Sequence, residues 1–160
     1  MIDRASVDAF VEKNADYYLE KWTTISDGTS SRVHWNWAAA IGGVVWLLYR
    51  KLYLAVGVIF VVGAIDVYLT STLEEAGVFP AAVEFWDKAS YWVYAAVFGS
   101  WGNYWYFQKF RKASDSLAAM PVTSDDRLRQ LAKSGGTNIA LAGLFLMSLA
   151  ALMIWAFMEP

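Results

Sequence analysis

The chain has 160 residues, 58% of them hydrophobic and 17% aromatic, with mean hydropathy +0.33 and a formal net charge of −2. That apolar content is too high for a soluble domain of this length and points to one all-α membrane domain. With no Cys and one His, His34, the composition excludes thiolate metal sites, thioether haem attachment, disulfides and cysteine nucleophiles. No cofactor and no nucleic-acid partner is expected.

Met1 to Ser6 shows no basic stretch leading into an apolar run, so a cleavable signal peptide is not expected and insertion falls to internal segments. Residues 6–22 place Val7, Phe10, Val11, Tyr18 and Trp22 near a 3.6-residue period, which predicts an amphipathic helix with Ser6 as N-cap. Its polar face is acidic: Asp8, Glu12, Asp16 and Glu20 recur every four residues. Anionic lipid would repel that stripe, leaving either a solvated face or one docked on a basic protein surface. Residues 23–33 are rich in turn formers and read as a linker, so 1–33 form a cytoplasmic helix and linker and 34–160 the helical membrane domain.

Residues 35–49 are apolar but, as a helix, cover only about 22 Å of a hydrocarbon core roughly 30 Å thick. The run stops at Arg50-Lys51, and a second apolar block, 52–73, starts at once and is long enough to span. Residues 89–107 and 137–157 are two further predicted spans. Between them lie an acidic loop, 74–88, and a polar segment, 108–134, expected to hold a short helix capped by Ser124 and ended by Gly135-Gly136.

Basic residues near span ends favour the cytoplasmic side. Arg50 and Lys51 precede the second block, Lys109, Arg111 and Lys112 follow the third, and Arg127, Arg129 and Lys133 precede the fourth. The acidic loop and Glu159-Pro160 then lie outside. If residues 35–49 are re-entrant or interfacial, every Lys and Arg except Lys88 is cytoplasmic, so the favoured architecture has three transmembrane helices. Four spans are the alternative, and would join two apolar helices at Arg50-Lys51 without a turn. Gly42-Gly43 is the natural bend of a half-inserted segment, because glycine accepts backbone angles that other residues resist. Such a segment needs shelter from the spans to satisfy its freed polar groups.

Asp66 is the acid inside a predicted span and so a candidate for ion or proton handling, or for a bond to a neighbouring Tyr or Trp. Asn36 and Asn103 are suited to hydrogen bonding across a helix interface, and as a pair they could fix the short segment. The third span carries Tyr91, Trp92, Tyr94, Phe98, Trp101, Tyr104, Trp105, Tyr106 and Phe107. These suit interfacial girdles, with Trp101 and Trp105 as possible lipid or partner contacts and Lys109, Arg111 and Lys112 as possible anionic-lipid ligands. No Walker loop, dinucleotide glycine pattern, His-Glu-x-x-His, Gly-x-Ser-x-Gly or paired intramembrane acid is present, so no enzyme activity is expected.

The strings Asn36-Trp37-Ala38-Ala39, Trp46-Leu47-Leu48-Tyr49-Arg50-Lys51-Leu52-Tyr53, Gly102-Asn103-Tyr104-Trp105-Tyr106 and Gly135-Gly136-Thr137-Asn138 resemble a bacterial membrane family, domain of unknown function 2628. Residues 13–22 fit the same pattern, so the resemblance covers nearly the whole chain. It implies a multi-pass protein of the bacterial inner membrane and supplies no activity. The expected role is a non-catalytic structural or accessory subunit that binds a larger membrane complex or forms a homo-oligomer. A small transporter or lipid-handling protein using Asp66 and the aromatic span is the alternative.

Overall fold

A computed structural model describes residues 2–28 and 33–158. Part of the expected linker, 29–32, and the expected outer end at Glu159-Pro160 lie outside the described residues. The elements in order are α1 (Arg4–Val11), α2 (Ala15–Ser26), α3 (Trp37–Tyr49), α4 (Tyr53–Glu75), α5 (Pro80–Ala118), α6 (Ser124–Ser134) and α7 (Ile139–Met158), with no strand among the described residues.

The single N-terminal helix expected over 6–22 is two helices. Glu12 (φ 66°) and Asn14 (φ 64°) adopt left-handed backbone between them, a conformation Asn tolerates better than most residues. The cap of α1 is Asp3, whose carboxylate accepts the N–H groups of Ala5 and Ser6, so Ser6 lies inside the helix. The apolar face is as expected: Val7, Phe10, Val11, Tyr18 and Trp22 are buried.

α4 and α7 are the helices among the described residues that are long and apolar enough to cross a membrane. Each has one buried residue, Val56 and Ala142 respectively. A soluble core helix would be buried on its apolar side; these expose theirs, which is tolerable against lipid and costly against water. The expected third span, 89–107, is the middle of one continuous helix, α5. That helix begins at Pro80 within the expected acidic loop and runs to Ala118 into the expected polar segment. Asp87, Lys88, Ser90, Asn103 and Gln108 dilute its apolar character, so length and composition do not support three or four spans. α6 is where expected, except that its cap is Thr123, whose hydroxyl accepts the Asp126 N–H at 3.2 Å, and not Ser124.

The fold has a dense end and an open end. At the dense end α1, α2, α6 and the C-terminal part of α5 share an aromatic core. Phe10, Tyr18, Trp22 and Tyr106 meet edge-on or tilted with centroids 5.2–6.3 Å apart, and Trp22 stacks on Phe110 at 4.9 Å. Such geometry adds about 0.5–1.5 kcal/mol per pair beyond area burial. At the open end α4, the first half of α5 and α7 project with little mutual packing, and α4 and α7 do not pack on each other beyond the Phe60–Phe145 ring contact.

α3 links the two ends. Gly43 (φ 47°, ψ −125°) breaks it, a conformation that only glycine adopts without strain. Neighbours on α5 show the consequence. Asn36 and Ala39 meet Asn103 and Gly102, Ala40 meets Gly99, Gly43 meets Phe98, and then Trp46 returns to Gly102 and Arg50 to Tyr106. The segment therefore runs a short way along α5, turns at Gly43, and comes back. A side chain at Gly102 or Gly99 would fill this contact: an added Cβ would lie 2.8 Å from Ala39 Cβ or 2.9 Å from the Trp35 ring.

Candidate functional site

Three helices end at the same place. α1 ends at Val11, α3 at Tyr49 and α6 at Ser134, so their carbonyl ends bring partial negative charge together. The cations of the Arg50-Lys51 turn answer it. Arg50, 3% exposed, donates from Nη1 to the Val11 carbonyl at 3.1 Å, and its Cζ lies 5.1 Å from each of the Tyr18, Tyr49 and Tyr106 ring centroids. Lys51 donates to the Gly135 carbonyl at 2.6 Å, and Lys109 to the carbonyls of Arg50 and Lys51 at 3.1 and 3.2 Å. No ion pair engages Arg50, Lys51, Lys109 or Lys112 among the described residues. Burial pushes the Tyr18 phenol up, so the ring stays neutral and does not balance the guanidinium charge. Burial, with Lys51 and Arg50 adding repulsion, pushes Lys109 down to about 8.

The same cations edge a lateral groove between α4 and α5, with a volume of about 580 Å³. Lys51, Lys109 and Lys112 lie at its mouth, and Leu54, Val58 and Trp105 form its walls. The first turn of α4 lines the groove and has no side-chain cap.

The amides form a separate, buried node. Asn103, 0% exposed, accepts Asn36 Nδ2–H at 2.8 Å and donates to the Tyr17 hydroxyl at 2.8 Å and the His34 carbonyl at 3.3 Å. Asn36 caps α3 by accepting the Ala39 N–H at 3.0 Å, and its own N–H meets the Gly99 carbonyl at 2.7 Å. The expected Asn pair is thus real, and it sets the entry of α3 against α5.

Asp66 bonds within the fold. Trp86 Nε1–H donates to Oδ1 at 2.7 Å and the Tyr94 hydroxyl to Oδ2 at 3.3 Å, tying α4 to the first half of α5 far from the cationic node. Trp101 is 40% exposed and meets Tyr104 edge-on at 5.9 Å, away from the groove. Arg111 turns aside to Asp115 at 3.7 Å. Of the expected lipid or partner contacts, Trp105, Lys109 and Lys112 come together, and Trp101 and Arg111 do not join them.

Residues 8–112 match the family described as protein of unknown function (DUF2628). The chain belongs to that family. The matched stretch contains the Asn36–Asn103 node, the Arg50-Lys51 turn, Asp66 and the groove lysines, so these features lie within the family domain, while α6 and α7 follow it. No curated protein and no solved structure matches the chain.

Sequence reasoning missed Tyr17, Tyr18 and Tyr106 as partners of the polar residues, and the Val11 and Gly135 carbonyls as partners of Arg50 and Lys51. The tyrosines were visible only as apolar-face or girdle residues, and a backbone carbonyl leaves no trace in a side-chain pattern. The acidic stripe gave part of the signal. Asp8 and Asp16 are exposed and pair with Arg4 at 3.6 and 2.6 Å, whereas Glu12 accepts the Thr137 hydroxyl at 3.2 Å next to the node.

Proposed function

We propose that the protein crosses a bacterial inner membrane three times, through α4, the 89–107 part of α5 and α7, with α3 re-entrant and α1, α2 and α6 on the cytoplasmic side. The return of α3 at Gly43 supports the re-entrant segment, and the sheltering α5 contact supplies what broken backbone in a membrane requires. Exposed Phe85, Tyr91, Trp92 and Val97 on α5, level with the bare faces of α4, support its placement in lipid. Its role in this reading is non-catalytic: a structural or accessory component that completes its helix packing on a second copy or a larger membrane complex.

The observation that carries the role is the isolation of α7. Among the described residues it packs on α3 near its start and otherwise meets α4 only through the Phe60–Phe145 rings, so most of its length offers a bare face. Membrane helices associate through close packing and small residues, and Gly143 has open space where a Cβ would stand. A transport role for Asp66 has less support, because both carboxylate oxygens are occupied within the fold.

The test is the mass of the particle extracted directly into lipid nanodiscs at native expression, read by native mass spectrometry. A second copy or a bound membrane protein is expected beside the 17.9 kDa chain. A single chain carrying only lipid overturns the reading.

A further inference from the structure

We infer that the groove between α4 and α5 is a binding site for an anionic phospholipid, with the phosphate at Lys51, Lys109 and Lys112 and an acyl chain along Leu54, Val58 and Trp105. A lysine ammonium has three N–H donors. Lys109 uses two on carbonyls and Lys51 uses one, while Lys112 is exposed with no side-chain bond among the described residues. Donors therefore remain at the mouth of a groove that contains no carboxylate.

The uncapped first turn of α4 adds a second, independent attraction for an anion. Backbone N–H groups at a helix start, together with the helix dipole, form a common phosphate-binding arrangement. Here they share the groove with the three ammonium groups. Burial lowers Lys109, repulsion from Lys51 and Arg50 adds to it, and the groove lining holds no carboxylate to offset that charge.

The walls select a lipid over a free phosphate. Below the lysines the lining is almost wholly apolar, and it follows α4 away from the cationic end toward the stretch long enough to span a bilayer. A headgroup at the charged end and a chain alongside the helix match that gradient, whereas inorganic phosphate would leave the apolar walls unused. The volume, about 580 Å³, accommodates a headgroup with the first part of a chain.

The experiment uses the purified full chain in mild detergent and measures quenching of Trp105 by dioleoyl phosphatidylglycerol carrying brominated acyl chains. Brominated phosphatidylcholine and inorganic phosphate, the latter read by thermal shift, are the controls. Saturable quenching by the anionic lipid is expected, with the saturable part reduced in Trp105→Phe, phosphatidylcholine at least tenfold weaker and phosphate without effect. Lys112→Gln removes a charge that the fold does not use, and should weaken binding about fivefold. Val58→Trp should block the groove and abolish saturation while the melting temperature is kept, which guards against misfolding. Equal binding of the two lipids, binding unaltered by both variants, or stabilisation by phosphate alone overturns the proposal.

Discussion

Asn103→Ala isolates the amide node. The side chain accepts from Asn36 and donates to Tyr17 and His34, three hydrogen bonds in a site with no solvent exposure. At about 1 kcal/mol net for each bond, and with the Asn36 amide left buried and short of an acceptor, the loss comes to roughly 3–4 kcal/mol. For a chain of this size each kcal/mol moves the melting temperature by about 2–4 °C, so a drop of roughly 6–16 °C is expected. The measurement is thermal unfolding in mild detergent followed by tryptophan fluorescence, which Trp35 and Trp46 beside the node make sensitive to local opening. Asn36→Ala removes the shared bond and the cap on Ala39, and the double variant should cost about 1 kcal/mol less than the sum of the singles, because they share the one Asn36–Asn103 bond. A shift below about 2 °C, or fully additive single variants, would refute the claim that this pair holds α3 in place.

Lys109 gives the pH dependence of the same end of the fold. Its folded pKa, about 8, lies below the ordinary lysine value, so the unfolded chain binds more protons between that pH and about 10.5. Stability should therefore be lower below pH 8 and rise as pH climbs through the window, and Lys109→Met should flatten that rise; melting curves from pH 7 to 10 decide it. The proposed topology predicts that Lys13→Cys and Arg129→Cys react with an impermeant maleimide on one side of sealed, oriented vesicles and Ala81→Cys on the other, against a native background free of Cys. Labelling of Lys13→Cys and Ala81→Cys from the same side would remove the three-span arrangement.

The break in α3 was legible because a Gly42-Gly43 pair inside an apolar run too short to span has few other uses. The Asn36–Asn103 bond was legible for a related reason: an amide in an apolar helix interior needs a partner, and few were available. The continuity of α5 was not. The polar residues flanking its apolar middle, Glu84, Asp87 and Lys88 before it and Gln108 after it, look like loop boundaries in sequence, yet all lie on one helix, and Gln108 lines the groove. The aromatic residues of α5 also misled. Tyr106, Phe107 and Phe110 resemble a membrane girdle but form the seat of α1 and α2, and nothing in the local spacing separates the two uses.

Arg50 shows where the division falls. From sequence it marks the end of an apolar run and, through the bias of basic residues to one side, a boundary. In the fold it is buried, a role that depends on the end of α1 and on the Tyr18 and Tyr106 rings arriving from elsewhere in the chain. Hydropathy and periodicity act over one or two helical turns, so the sequence alone determined the all-helical class, the apolar stretches, the bend at Gly43 and the family. The cationic node, the groove beside it and the shelter around α3 arise from contacts between residues far apart in the chain, such as Tyr17 with Asn103, 86 positions away, and only the tertiary structure decided them.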